Sequence, residues 1–240
     1  MAIYFISDLH LEASREDITE AFFRFLNTTA SDATALYILG DFFDAWIGDD
    51  WNSKLIKRIK RALLTCRERG VHTYFIHGNR DFLLGQRFAN ETGLELLKEE
   101  TVIELNGQRV LILHGDSLCT DDADYIAWRN KTRTQEWQRK ILRLPLFARK
   151  LIAANYRRKS KKANANKADN ITDVSEYAVK RAFERHNVSL MIHGHTHRPD
   201  THTLSMLGKD YTRMVLGDWD KEMWYIRADN KDIKLVHEAL

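Results

Sequence analysis

Short apolar runs alternate with longer stretches of helical period along the chain, and the alternation predicts α/β construction. AIYFI (2–6), ALYIL (35–39), TYFIH (73–77), RVLIL (109–113) and SLMIH (189–193) have the length and composition of buried strands. Between the first two, SREDITEAFFRFL (14–26) sets Ile18, Phe22, Phe25 and Leu26 on one helical face, with Ser14 as the expected N-cap. SKLIKRIKRALLTCRERG (53–70) repeats the pattern with Leu55, Ile59, Leu63 and Cys66, and Gly70 stands where a helix ends in a left-handed residue. A further helix is expected after TDVSE (172–176), with Asp173 and Glu176 as a variant capping box. RMVLGDW and MWYIRADNKDIKLVHEAL read as C-terminal strands, antiparallel about an Asp-Asn-Lys-Asp turn.

One segment departs from this alternation. Trp137, Ile141, Leu144, Ala148 and Leu151 recur at helical spacing, and Pro145, one of two prolines, predicts a break between two helices. Residues 129–162 hold 13 Lys/Arg against one acid, Glu136. That segment is +12 and leaves −9 on the rest of a chain whose total is +3. The organisation expected is therefore a body formed by 1–120 and 171–240, carrying a basic, amphipathic helical insertion over 121–170.

Composition narrows the class. At 240 residues, 44% hydrophobic and 30% charged, the chain has the make-up of a folded globular protein and not of a disordered one. No stretch approaches the roughly 20 apolar residues of a membrane-spanning helix, and MAIYFISDLH is too short in apolar residues for a secretory signal. Cys66 and Cys119 lie at no metal-binding or redox spacing, which fits a reducing compartment. The expected location is the cytoplasm, peripheral on the cytoplasmic side of the inner membrane if the insertion binds lipid.

The candidate chemistry lies at the strand ends. Asp8 and His10, Asp41 after Gly40, Asn79 after Gly78, His114 before Gly115, and HGHTH (193–197) each follow a predicted strand at once. In open α/β sheets these ends gather on one rim, where ligands bind. A lone loop histidine is usually solvated or hydrogen-bonded, and His72, His186, His202 and His237 are read so; His77 and His193 are read as structural neighbours. Asp8, His10, Asp41, Asn79, His114, His195 and His197 are too many for one ion with an open position. They suit two ions about 3.5–4 Å apart with a carboxylate between them. Imidazole, carboxylate and amide without thiolate favour Mn2+, Fe2+ or Zn2+. Such a pair serves the hydrolysis of phosphoesters or phosphoanhydrides.

DLH, GDFFD, GNRD, HGD and GHTH, in this order, resemble the calcineurin-like metallophosphoesterases. The resemblance implies an αββα sandwich of two sheets flanked by helices. It also implies Asp8, His10, Asp41 and His197 on one ion and Asp41, Asn79, His114 and His195 on the other, with Asp41 bridging. Most members carry histidine where this chain has Arg80, and that histidine helps protonate the leaving oxygen. Arginine is always charged and cannot act as a general acid near neutrality. An alkoxide, close in basicity to hydroxide at about 15.7, needs such an acid, whereas a phosphate monoester with a second pKa of about 6 does not. Unless it merely packs on the surface, Arg80 therefore points to a phosphoanhydride substrate, cleaved so that a phosphorylated group departs.

YILGDFFDAWIGDD (37–50), HGNRDFLLGQRF (77–88), HGDSLCTDDADY (114–125), LPLFARKLIAANYRRKSKKANANK (144–167) and IHGHTHRP (192–199) narrow the resemblance. They resemble the branch that cleaves the pyrophosphate of a diacylated UDP-glucosamine in lipid A biosynthesis. That branch implies Mn2+ as the metal and attack of water at the UMP-side phosphorus. Asp41, Asn79, Arg80 and His195 are then catalytic, and Asn79, Arg80, Asp122, Ser160, Asn164, Lys167 and His195 meet the substrate head group. The insertion by itself reads as a solvated face, a nucleic-acid arm or a membrane-facing cap. Trp128, Trp137, Ile141, Leu144, Leu146, Phe147, Leu151 and Ile152 exceed what a phosphate-tracking arm requires. The partners expected are accordingly a lipid-linked UDP-sugar and an anionic membrane surface, not nucleic acid, with the protein a monomer. Trp46 and Phe82 are expected to line an apolar slot beside the metals. The rivals are an esterase acting on a soluble substrate and a non-catalytic scaffold that retains only the fold.

Overall fold

The computed structural model describes residues 2–164, 173–206 and 208–240. From the N-terminus the chain forms β1 (Ala2–Ile6), α1 (Glu16–Arg24), β2 (Ala33–Ile38), α2 (Lys54–Glu68), β3 (His72–Phe75), α3 (Gln86–Thr92) and β4 (Glu95–Leu96). The hairpin β5 (Glu100–Leu105) and β6 (Gln108–Leu113) follows, then α4 (Ala123–Thr132), α5 (Gln135–Leu142) and α6 (Leu146–Asn164). The chain closes with α7 (Glu176–His186), β7 (Leu190–His193), β8 (Asp200–Met206), β9 (Lys209–Val215), β10 (Glu222–Ala228) and β11 (Ile233–Ala239).

Among the described residues the strands form two mixed sheets, ordered β11-β10-β1-β2-β3-β4 and β5-β6-β7-β9-β8. β1, β2, β3 and β4 run parallel, as do β6, β7 and β9. The apolar runs are continuous because both faces of these central strands are covered. In β1, Phe5 packs between the sheets with Val110, Ile112, Ile192 and Ile226, while Tyr4 and Ile6 pack outward with Phe22, Ile59 and Leu63 of the helical layer. In β6, Leu111 and Leu113 turn the other way, onto Val179 and Phe183 of α7. The expected αββα layering follows from these three apolar clusters.

Two expected helix starts differ. α1 begins after Arg15 and no side chain caps it; the Arg15 guanidinium instead holds Asp17 and Asp220, and a turn from Glu12 leaves Ser14 one position too early. α7 begins after Ser175, again without a side-chain cap, because Asp173 is taken by Arg198 and by the Val174 amide. Ser53 does cap α2, accepting from the Ile56 amide at 3.2 Å, and Gly70 follows it at φ +84°.

The α4–α6 segment lies on the body through polar as well as apolar contacts. Trp137 and Ile141 pack against the outer helical cluster, and Arg149, 4% exposed at its side chain, donates to the Ile47 carbonyl at 2.6 Å and pairs with Asp50. Arg129, Arg133 and Arg157 also pair with body carboxylates. Among the described residues, four of the segment's cations are thus paired with the body, Arg157 while still exposed. Pro145 lies between α5 and α6, as its position predicted. No helix among the described residues is long and apolar enough to cross a membrane.

Candidate metal centre

The loops after β1, β2, β3, β6 and β7 meet at the seam between the sheets. Backbone bonds continue the pairing of β1 and β2 beyond their ends, with Asp8 donating to Gly40 O, His10 to Asp41 O and Leu11 to Phe42 O at 2.9–3.1 Å. The Trp219 amide returns from the loop after β9 to Asp8 O at 3.2 Å. Two glycines allow the loops to touch. A Cβ on Gly78 would stand 2.2 Å from Asp41 Oδ1, and one on Gly194 would stand 2.0 Å from Ser7 Oγ and 2.2 Å from Asp8 Oδ2.

The backbone is bent to aim these side chains. Asp8, His10, Asp41, His195 and His197 all have φ between 49° and 71°. That left-handed conformation costs a non-glycine residue on the order of 1 kcal/mol or more and persists where the surroundings enforce it. Five of the seven expected ligands share it.

One cluster is formed by Asp8, His10 and His197. Asp8 is fully buried; its Oδ2 accepts from the His195 amide at 2.8 Å and from Ser7 Oγ. Its Oδ1 accepts no hydrogen bond among the described residues and lies 3.3 Å from His197 Nε2 and 3.9 Å from His10 Nε2. The two Nε2 atoms are themselves 3.2 Å apart. Burial and the nearby Arg80 guanidinium hold His10 well below the usual histidine range, so it is a neutral donor. Burial acts the same way on His197, but Asp218 and Asp8 outweigh it and raise that imidazole to about 10.

The second cluster is formed by Asp8, Asp41 and His114, with Asn79 at its edge. His114 Nδ1 donates to Leu39 O at 2.8 Å, which turns Nε2 toward the seam; burial lowers this imidazole, but the Asp41 and Asp8 charges outweigh it and raise it. Asn79 presents Oδ1 to that nitrogen at 3.0 Å, and Asp41 Oδ1 lies 3.7 Å from it. In the protonated ring Nε2 donates to Asn79 Oδ1, and once that proton is lost both atoms are acceptors that suit a cation. Burial raises the Asp41 carboxyl, and the Asp8 charge adds to the rise. Asp8 belongs to both of these groups, and Asp41 shares the second with it and with His114.

His195 adjoins the second cluster, its ring centre 5.0 Å from that of His114, and burial together with His114 lowers it to about 4. The Arg80 amide donates to Asp41 Oδ1 at 2.8 Å, and its guanidinium binds Asp44 Oδ1 at 2.6 Å with about a third of the side chain exposed. Asp122 caps α4 by accepting from the Tyr125 amide at 3.1 Å. Ser160 and Asn164 are on α6 with side chains outside the described residues, and Lys167 lies wholly outside them. His77 donates to Leu84 O, while His193 donates to Gly194 O and accepts from Arg213, so both act as supports of the loops.

Several supporting carboxylates escaped the sequence reading. Asp81, fully buried, accepts from the Gly78 amide with Oδ1 and from the Phe42 amide with Oδ2, both at 2.8 Å. It braces the loops of Asn79 and Asp41 together, and burial with the Asp41 charge raises it to about 7. Asp218 stands 3.4 Å from His197 Nδ1. Asp44 and Asp116 act on Arg80 and on α4. Each follows a strand end within a few residues or sits in a loop already singled out, which was the available signal.

The calcineurin-like phosphoesterase pattern matches residues 1–199. The chain belongs to that family. As a calcineurin-like phosphoesterase it is 51% identical to UDP-2,3-diacylglucosamine hydrolase of Klebsiella pneumoniae over 237 residues, 99% of each chain. It is 52% identical to the protein of the same name from Escherichia coli O81, again over 99% of each. Among solved structures, an archaeal phosphodiesterase superposes with a TM-score of 0.52 at 12% identity over the whole of both chains, a likeness of fold.

This family implies divalent metal ions, and the residues present fit them. The donor set is oxygen and imidazole nitrogen, Asp8 Oδ1 is buried without a donor, and His114 Nε2 faces an amide oxygen. Against the effect of burial, Asp218 and Asp8 favour the protonated imidazole of His197, so a metal ion has to displace that proton. Binding of divalent metal near pH 7 should therefore release at least one proton per protein and weaken as pH falls. Calorimetry in buffers of different ionisation enthalpy checks this, and a heat independent of buffer would refute it.

Proposed function

We propose that the protein hydrolyses the pyrophosphate of UDP-2,3-diacylglucosamine to UMP and 2,3-diacylglucosamine 1-phosphate, a step of lipid A biosynthesis, with two Mn2+ ions. The observation that carries this reading is the match to hydrolases of that name, which runs through the α4–α6 segment as well as the body. Asp8, His10, Asp41 and His197 would hold one ion, and Asp41, Asn79, His114 and His195 the other. Bound there, the ions supply an acidified water and a Lewis-acid clamp on a phosphoryl oxygen.

The chain's own groups do the rest. Asp44 and the Asp41 loop hold the Arg80 guanidinium beside the metal seam, where it binds phosphate oxygens and offsets charge gathering on them. It gives no proton, and none is needed when a sugar 1-phosphate with a second pKa of about 6 departs. His195, neutral at pH 7, adjoins both the His114 cluster and Tyr125 and lines the phosphoryl site. Asp122, Ser160, Asn164 and Lys167 meet the head group from the side of the 121–170 segment, which acts as a cap.

Acyl chains require an apolar wall, since each CH₂ left in water costs about 0.8 kcal/mol. Phe82, with Trp128 and Trp137 at ring distances of 6.1 and 5.9 Å, supplies one. Trp46, expected in such a slot, is 3% exposed between Phe43 and Phe88, so it belongs to the core and does not line the wall. Outside, Phe147 and Leu151 are each 68% exposed, with Leu142 and Leu144 also open and Arg139, Lys140, Arg143 and Lys150 among them. Apolar side chains interleaved with cations suit an anionic bilayer surface, which supports a peripheral position on the cytoplasmic side of the inner membrane.

Metal-depleted protein supplied with Mn2+ should release UMP from the diacylated UDP-sugar. In ¹⁸O-labelled water the label should appear in UMP; label in the sugar phosphate would reverse the direction of attack. Arg80→Ala should lower kcat/KM by at least about a hundredfold, and a near-normal rate refutes the clamp. Replacing Phe147 and Leu151 together by Ser should reduce co-sedimentation with phosphatidylglycerol vesicles; unchanged binding would remove this face from the membrane account.

A further inference from the structure

Asp116 is fully buried two residues beyond His114, in a short 3-10 turn. Three donors converge on its Oδ2: Tyr125 Oη at 2.7 Å, Arg129 Nε at 2.9 Å and Arg133 Nη2 at 3.2 Å. All three come from α4 or the residue that ends it. Arg133 Nη2 also donates to Gly78 O at 2.9 Å, the carbonyl preceding Asn79, and its guanidinium lies 4.8 Å over the Phe82 ring. Arg129 pairs in addition with Glu99, just ahead of β5. One carboxylate beside a histidine of the metal seam thus gathers the first helix of the cap. One guanidinium of that cap in turn holds the loop bearing Asn79 and Arg80.

A buried ionic cluster adds little stability over apolar packing of the same volume, and fixing a register is its best-attested use. Adhesion between cap and body is already supplied by Phe82, Trp128, Trp137 and Ile141. Apolar contact of that kind tolerates sliding, whereas three directed bonds to one oxygen do not.

We propose that Asp116 and Arg133 are positioning residues that register the α4–α6 cap on the metal-bearing loops, so that a substrate spanning both is held with its pyrophosphate at the seam. The substrate part rests on the function proposed above; the registration does not. Hydrogen exchange reads the registration with no substrate present. In Asp116→Asn and in Arg133→Gln, amides of α4 and of residues 78–82 should exchange at least about tenfold faster together, with β1 and β6 unchanged. Unaltered exchange in either region would overturn the link.

On the diacylated UDP-sugar each variant should keep two equivalents of Mn2+ and lose at least about tenfold in kcat/KM. The double variant should lose no more than about threefold beyond the worse single one, because both act through one connection. Multiplying losses, or loss of metal from either single variant, would show that the pair does not work by registration. Should Asp116→Asn fail to fold, Arg133→Gln and Arg133→Lys decide the matter, Lys reaching one of the two acceptors and giving an intermediate effect. Failure of the unaltered protein to cleave this substrate would count against the proposed function and leave the exchange result to judge the registration.

Discussion

Two carboxylates, Asp8 and Asp41, are enclosed at the seam between the sheets with almost no access to water. Charges removed from solvent cost several kcal/mol each even after relaxation, and two of one sign raise each other's cost. The Ser7 hydroxyl and the His195 amide satisfy one Asp8 oxygen, and the Arg80 amide satisfies one of Asp41. What remains is negative charge balanced by the imidazoles of His114 and His197, which Asp41, Asp8 and Asp218 hold toward their protonated forms. The left-handed backbone, the close glycine contacts and the braces at Asp81 and Asp218 all serve to hold this arrangement.

The same charge explains why the adjoining residue can be an arginine. A guanidinium next to a metal pair is repelled by the ions, but Asp44 holds it from the far side at 2.6 Å and the Asp41 charge lies close by. Fixed in this way it is, on the function proposed above, a permanent positive charge for phosphate oxygens that needs no change of protonation. The chemistry suited to such a group is expulsion of a leaving group that is already a weak base, as in a pyrophosphate.

The cap carries two kinds of surface for two different reasons. Arg129, Arg133, Arg149 and Arg157 are tied to carboxylates of the body and fix where the helices sit. Phe147, Leu151 and the cations that remain outside face away from the core. The net charge of +12 over residues 129–162 therefore overstates what any outside partner meets, because part of it is neutralised within the fold.

The layering of the body was legible in the sequence, since strands covered on both faces must be apolar throughout and helices covered on one must repeat near 3.6 residues. The seven candidate ligands were legible too, because a sheet brings the ends of its parallel strands to one rim whatever lies between them. Helix caps were less so: Ser14 and Asp173 have the right chemistry, but neighbours elsewhere in the chain, Asp220 and Arg198, decided the local geometry. Nor did the sequence reveal that Asp8 would belong to both clusters, that Trp46 would lie beneath the surface, or that Asp116 would collect α4. Those outcomes depend on distances between segments far apart in the chain. Such distances are set by how two sheets and a cap pack, and no local pattern of residues encodes them.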